Sequence, residues 1–367
     1  MAKVLRVGFI GCGGIATGKH LPAQARLQDE GRVELVAFCD LKIERAQAAA
    51  EKYGAPGAQV TADYTEVIAR DDIDVIHVLT ENVGHAPISI AAMRAGKHVM
   101  CEKPMAKTYQ EALEMCKVAK ETGKKLTIGY QTRFDKENLY LKQICDEGML
   151  GDIYYARCVY TRRRGLPTWG VFTDKEKQGG GPLIDIATHE LDRTLWYMNN
   201  YEPDRVLGVT FQKLNYANSA NSSGPWNPDE MDVEDSAFAI IKMKNGATIM
   251  LECSWCLNFN VPNASVLCGT KAGADRMENK IRLNVDHGQT LMDIECKPDK
   301  YSINLVKDLN WDRRTQYWGK DLEAETFYRA IVEDKDPVVL PEQAAVVSRI
   351  LEGIYISAQT GKEYIFE

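Results

Sequence analysis

Asp185 and His189 stand four residues apart, behind the glycine run Gly179 to Gly181 and Pro182. Proline suits the first turn of a helix, so this spacing predicts a carboxylate and an imidazole on one helical face. A carboxylate so placed fixes the tautomer of the ring and favours its protonated form. An imidazole that titrates near neutrality can then take the proton of a hydroxyl as hydride leaves the carbon beneath it. The same spacing also fits an Asp–His pair on an ordinary amphipathic helix, or a metal site completed by Asp192. Upstream, Glu102-Lys103-Pro104 puts a lysine immediately before a proline. That position is barred from the helical region, which holds the lysine in an extended turn where its amine can donate to an oxygen.

A second constellation binds rather than reacts. Gly11-Cys12-Gly13-Gly14-Ile15-Ala16 follows an apolar run and opens a helix-like stretch. This is the context in which a glycine-rich turn cradles a dinucleotide. Gly11 permits the tight turn, Gly13 lets the backbone approach a pyrophosphate, and Ala16 keeps helix and strand close. The amides that open the helix, from Gly14 and Ile15 onward, offer the diphosphate hydrogen bonds and a positive dipole end. Asp40, about 24 residues past Ala16, falls where a carboxylate meets the adenosine ribose and repels a 2′-phosphate, so NAD is expected over NADP. Capping of the next helix is the plainer use of an Asp there.

The elements that must position these groups fall into two patterns. Over residues 1–130 apolar runs at Val4–Ile10, Val33–Cys39, Val75–Leu79, Val99–Cys101 and Leu126–Gly129 alternate with helical stretches at Ile15–Glu30, Ile43–Tyr53, Pro87–Ala95 and Tyr109–Thr122. This predicts an α/β domain, a doubly wound parallel sheet of Rossmann type. Pro22 predicts a kink or late start in the first helix, and Gly54 a left-handed cap on the second. From 131 to 367 strands predominate, at Ile153–Thr161, Val206–Lys213, Ser236–Met243 and Thr248–Leu257, with helices at Pro182–Tyr197, Leu322–Val332 and Pro341–Ala358. Asn245-Gly246 is a hairpin signal, and Asn215–Asp229 reads as a long surface loop. The second domain is therefore expected to be α+β, with a large, mostly antiparallel sheet.

Composition narrows the classes. A chain of 367 residues exceeds what one core accommodates, and a net charge of -7 argues against nucleic-acid affinity. The apolar runs are strand-length, too short to cross a membrane. The ten cysteines are scattered, and the one close pair, Cys253 and Cys256, has no second pair to complete a zinc site. No metal is expected. Phe9-Ile10-Gly11-Cys12 superficially resembles a lipoprotein cleavage site, but the apolar segment Val7–Ile10 is too short for a signal region, and a cytoplasmic location is the default.

Taken in order, these residues resemble the Gfo/Idh/MocA oxidoreductase family. Thr80-Glu81-Asn82-Val83-Gly84-His85 and Tyr130-Gln131-Thr132-Arg133-Phe134 add to the likeness, which spans nearly the whole chain. The resemblance implies that Lys103, Asp185 and His189 form a catalytic group: His189 the acid/base, Asp185 its orienter, Lys103 the donor to the reacting oxygen. It implies cofactor contacts from Thr80, Asn82, His85, Glu102 and Trp169, with Asn82 and Glu102 at the nicotinamide and its ribose, and substrate contacts from Arg133 and Arg164. Glu81 departs from the family's proline and adds a carboxylate nearby. The run Arg162 to Gly170 resembles a subgroup that oxidises a glucoside hydroxyl to a ketone, at C3. An inositol or aldose dehydrogenase, a redox-assisted glycosidase and a sensor without turnover are the rival readings. The family also implies self-association through the second-domain sheet.

Overall fold

The computed structural model describes residues 3–214, 220–260, 262–299, 302–309 and 318–367. By contact density the chain divides into two units, one of residues 1–131 with 317–345, the other of 132–316 with 346–367. The sequence pattern places everything after 130 in the second domain. Residues 317–345 belong instead with the first unit, because the helix Lys320–Val332 buries Ala324, Phe327 and Tyr328 in the same core as Leu5, Phe9, Leu35 and Met100.

The first unit is built on six parallel strands, β1 (Leu5–Ile10), β2 (Val33–Cys39), β3 (Gln59–Thr61), β4 (Val75–Val78), β5 (His98–Cys101) and β6 (Leu126–Ile128). Their order is β3-β2-β1-β4-β5-β6, with helices in the crossovers. In such a sheet the winding reverses between the first and fourth strands, and ligands collect at the strand ends there. The strands are nearly continuous apolar runs because both faces are covered.

Of the kink or late start expected at Pro22, the late start holds: a π-turn over Ala16–His20 precedes it, and the α-helix Leu21–Asp29 starts with the proline in its first turn, where no amide is missed. Gly54 is not a left-handed cap, since its φ is -69°. An added Cβ would lie 2.6 Å from Ala50 O and 3.1 Å from the Phe38 ring. That glycine serves close packing of the helix Ile43–Tyr53.

The second unit carries a nine-stranded sheet: β7 (Ile153–Thr161), β8 (Pro203–Phe211), β9 (Ser236–Met243), β10 (Thr248–Ser254), β11 (Ala264–Gly269), β12 (Ala272–Met277), β13 (Lys280–His287), β14 (Thr290–Cys296) and β15 (Tyr364–Ile365), ordered β14-β13-β12-β11-β7-β10-β9-β8-β15. Every pair is antiparallel except β7 with β10. Asn245-Gly246 turns β9 into β10, with Gly246 at φ 90°. Of the long loop expected at 215–229, residues 215–219 lie outside the described residues. Its remainder packs on the segment after β7, where the Asn221 side chain accepts from Leu166 N at 2.9 Å and donates to Leu166 O at 2.9 Å. Helix Thr188–Met198 lies against β7 and helix Lys136–Asp146.

Candidate functional site

In the first unit the glycine turn leaves β1 under tension from two sides. Gly11 adopts φ 99°, and an added Cβ would stand 2.4 Å from Leu79 O, so only glycine fits between β1 and the end of β4. Around Gly13 and Gly14 the opposite holds: nothing lies within 4 Å of an added Cβ. That open space, at the start of the helical segment, is the cradle a pyrophosphate needs. Asp40 closes β2 with its carboxylate half-exposed. Its Oδ2 accepts from Cys12 N at 2.8 Å and its Oδ1 from Lys42 N at 2.9 Å. Asp40 thus braces the turn. Burial, reinforced by Asp40, pushes the Cys12 thiol up to about 12, so it stays protonated. These residues fit NAD.

Thr80, Asn82, His85, Glu102 and Lys103 gather at the ends of β4 and β5, as expected, but two of them face the protein. His85, 1% exposed, sets Nδ1 2.7 Å from Pro104 O and Nε2 3.1 Å from Thr80 O. It ties the two turns together rather than standing open to a cofactor. Burial lowers its pKa, against the pull of those carbonyls. Glu102 is likewise turned inward: Oε1 meets His20 Nε2 at 2.7 Å and Lys320 Nζ at 2.8 Å, and Oε2 accepts from Lys103 N at 3.1 Å. An added Cβ on Gly129 would touch that Oε1 at 2.9 Å. The direct nicotinamide contact expected of Glu102 is replaced by anchorage of the Lys103-Pro104 turn, whose peptide bond is cis. Asn82 opens the helix Asn82–Arg94 with 8% exposure, and Lys103 is half-buried.

Behind Glu102 lies a buried cluster that sequence reasoning missed. Lys320 also pairs with Glu323 at 2.7 Å, and His20 Nδ1 meets His77 Nδ1 at 3.2 Å. Burial, helped by the Lys320 charge, lowers His20 to about 4, with Glu102 opposing. Burial raises Glu323 to about 7, against the pull of Lys320. Glu102, with donors on both oxygens, is held well below its ordinary range in spite of burial, chiefly by Lys320. Of the two carboxylates, Glu323 is therefore the one that takes a proton near neutrality.

In the second unit Asp185 and His189 sit where a π-turn over Leu183–Ala187 runs into the α-helix Thr188–Met198. The expected uniform α-helix is thus widened by one turn of i to i+5 bonding, a feature common at functional sites. The turn is held from below. Glu234, buried, accepts from Gly181 N at 3.0 Å, Leu183 N at 3.2 Å and Tyr355 OH at 2.8 Å. The glycine run is needed because a Cβ on Gly180 or Gly181 would overlap Tyr355 OH or Glu234 O. Asp185 Oδ2 accepts from Trp255 Nε1 at 3.1 Å. Rings then step outward from Trp255 to Phe172 at 6.5 Å and to Trp169 at 5.9 Å, the last 58% exposed.

His189 lines a cavity of about 650 Å³ together with Thr132, Asp135, Tyr160, Glu190, Arg193 and Arg276 among others. Arg133 and Arg164 are not on its wall. Arg133 is fully buried and bonds Asp192 through Nε at 2.8 Å and Nη2 at 2.6 Å, with Trp196 5.3 Å from the guanidinium. Its expected substrate contact gives way to an internal ion pair, which also occupies Asp192. Arg164 Nη2 donates to Asn258 Oδ1 at 2.6 Å and Nη1 to Arg163 O at 2.6 Å. The glycine run could have signalled the Glu234 and Tyr355 anchors; nothing local signalled Arg193 or Arg276.

Comparison with known proteins agrees with this architecture. Residues 5–130 match the model described as oxidoreductase family, NAD-binding Rossmann fold, and residues 138–275 match the GFO/IDH/MocA C-terminal domain. D-glucoside 3-dehydrogenase of Escherichia coli (strain K12) is 35% identical over 362 residues, covering 97% of this chain and 96% of that protein. An inositol 2-dehydrogenase of Salmonella paratyphi B (strain ATCC BAA-1250 / SPB7) is 33% identical over 210 residues, 57% of this chain and 58% of its own. Among solved structures, levoglucosan dehydrogenase in complex with NADH superposes with a TM-score of 0.83 at 23% identity, covering 100% of both chains. Aldose-aldose oxidoreductase from Caulobacter crescentus gives 0.80 at 22%, covering 99% of this chain and 100% of its own.

Proposed function

The chain belongs to the Gfo/Idh/MocA family of NAD-dependent oxidoreductases, and we propose that it oxidises the C3 hydroxyl of a glucoside to a ketone. The observation that carries the reading is His189 on the wall of a polar cavity, four residues after an Asp185 fixed by Trp255, in a chain whose end-to-end relative acts on glucosides. The inositol enzyme matches only part of the chain, which favours the glucoside.

NAD, when bound, supplies the acceptor for the hydride that leaves the carbinol carbon. His189 takes the hydroxyl proton, and Asp185 keeps the imidazole in the tautomer that can accept it and stabilises the imidazolium. Lys103 donates to the reacting oxygen. Gly13, Gly14 and Ile15 hold the diphosphate, Asp40 the ribose, and Thr80, Asn82 and the exposed Trp169 the remainder of the cofactor. The ten cysteines are free thiols, as suits a reducing cytoplasm. Among the described residues no helix is long and apolar enough to cross a membrane. Self-association through the nine-stranded sheet is favoured by Leu207, Val209, Phe211 and Ile240, exposed together on one face of β8 and β9.

The test is incubation with NAD and a panel of methyl glucoside, glucose and myo-inositol. The expected result is NADH with a 3-keto glucoside. Oxidation of myo-inositol alone, or aglycone release without net NADH, overturns the reading.

A further inference from the structure

The cavity beside His189 is larger than one sugar ring requires. At about 650 Å³ it lies in the middle of the range for small-molecule sites, roughly 300–1,000 Å³. If the ring being oxidised stands at His189, most of that space is left for whatever the ring carries. The lining is polar and nearly balanced in charge, with Arg193 and Arg276 against Asp135, Glu190 and Glu278. Two of those charges already satisfy each other, since Arg193 Nη2 pairs with Glu190, whose second oxygen accepts from Ser265 at 3.0 Å. A surplus of carboxylates disfavours a phosphate or a carboxylate ligand. Neutral hydroxyls suffer no such repulsion.

The second observation concerns donors. Thr132 Oγ1, Arg193 Nε and Arg276 Nε are buried atoms with no hydrogen-bond partner among the described residues, and all three belong to residues lining this cavity. Arg193 is only 3% exposed. A buried polar atom left without a partner costs free energy, and the three residues that carry such atoms all line one cavity, whose polar wall matches a ligand rich in hydroxyls. Tyr160 adds a ring face to the same wall, with the Arg162 guanidinium 5.4 Å from its centroid.

We propose that this cavity is the subsite for an uncharged, polyhydroxylated aglycone, the second ring of a disaccharide, whose hydroxyls are read by Thr132, Arg193 and Arg276. The proposal rests on the glucoside reading above and adds the identity of the aglycone to it. Binding energy from a ring remote from the reacting carbon then raises kcat/KM for the two-ring substrate over the one-ring glucoside.

The experiment compares kcat/KM for cellobiose and for methyl β-glucoside, with glucose 6-phosphate as a third substrate, in the wild-type holoenzyme and in Arg276→Gln and Thr132→Val. In the wild type cellobiose should exceed methyl glucoside by about tenfold or more, the discrimination available to a site that pairs substrate hydroxyls. Each variant should reduce that ratio at least threefold. Equal kcat/KM for the two glucosides in the wild type overturns the subsite while leaving the glucoside reading intact, and needs no variant to fold. So does a ratio unchanged in both variants, or a preference for the phosphorylated sugar. Absence of NADH with every glucoside removes the functional reading itself, and the subsite with it.

Discussion

Replacing Lys320 by Met tests how the Lys103 turn is held. The ammonium is 6% exposed and bridges Glu102 Oε1 at 2.8 Å and Glu323 at 2.7 Å. Removing one partner of a buried pair typically costs about 3–5 kcal/mol, because the charge left behind stays desolvated. Here the cluster can repair part of the loss. His20 is lowered to about 4 first by burial and second by Lys320. Without the ammonium, the imidazole 2.7 Å from Glu102 binds its proton more tightly, and Glu323, raised to about 7 against the pull of Lys320, takes its proton more readily. The net loss at pH 7 should be about 3 kcal/mol, the lower end of the buried-pair range. It should also depend on pH with a defined sign. In the wild type the lowered His20 costs stability as pH falls below 6.5; in the variant, with the Lys320 charge gone and Glu102 still beside it, the folded ring binds its proton more tightly than in the wild type, so less is lost. The gap between the two proteins therefore narrows from pH 8 to pH 5. Urea unfolding of both proteins at several pH values measures it. A gap below about 0.5 kcal/mol at pH 7, or one that does not change with pH, refutes the account of the cluster.

Four further outcomes follow from the same geometry. Relative to His20→Asn, wild-type stability should climb between pH 4 and 6.5, where the unfolded chain protonates His20 and the folded one does not, by roughly 3 kcal/mol for the displacement from 6.5 to about 4; Glu323, raised to about 7, contributes the opposite slope to both proteins, so the difference between their urea-unfolding curves is what reads His20. Gly13→Ala, with open space around its Cβ, should keep the wild-type melting temperature while weakening NAD binding about tenfold or more, whereas Gly11→Ala should unfold the turn outright, as calorimetry and cofactor titration would show. Arg133→Met leaves Asp192 charged and buried, so it should cost about 3–5 kcal/mol in urea unfolding, and the double change with Asp192→Leu should recover most of that; a higher KM for sugar without loss of stability would return Arg133 to the substrate. His189→Ala should lower kcat by about 10²–10⁴ while NAD binding, read by fluorescence titration, stays as in the wild type.

What could be read from the chain was whatever its neighbours in sequence complete. The glycine turn, Asp40 and five of the six strands of the first sheet each depend on residues within one crossover, whereas β3, only three residues long, has no apolar run to mark it. The β11–β14 meander was not read. β13 carries an apolar period, Ile281, Leu283 and Val285 alternating with polar residues, but β14 is exposed along nearly its whole length and has no buried face to mark a partner strand. Lys320 was invisible for another reason. It meets Glu102 across 218 residues, and its own surroundings in sequence are those of an ordinary helix. Arg133 misled in the reverse direction, because a motif arginine and a buried structural arginine look alike until Asp192 is placed beside it.

Glycine makes the point sharpest. The runs Gly11 to Gly14 and Gly179 to Gly181 each precede a helical segment with a π-turn in it, and in sequence they are equivalent signals. An added Cβ separates them. At Gly13 and Gly14 it enters empty space, while at Gly180 and Gly181 it collides with Tyr355 and Glu234 of the protein itself. A missing side chain marks a volume that something else must occupy, and the sequence does not say what. In the first run the volume is open, and on the proposed reading substitution there should strike cofactor binding. In the second it is filled by the groups that seat Asp185 and His189, so substitution should strike the placement of the acid/base pair. A Gly181→Ala variant that binds NAD normally yet loses turnover is what that distinction requires.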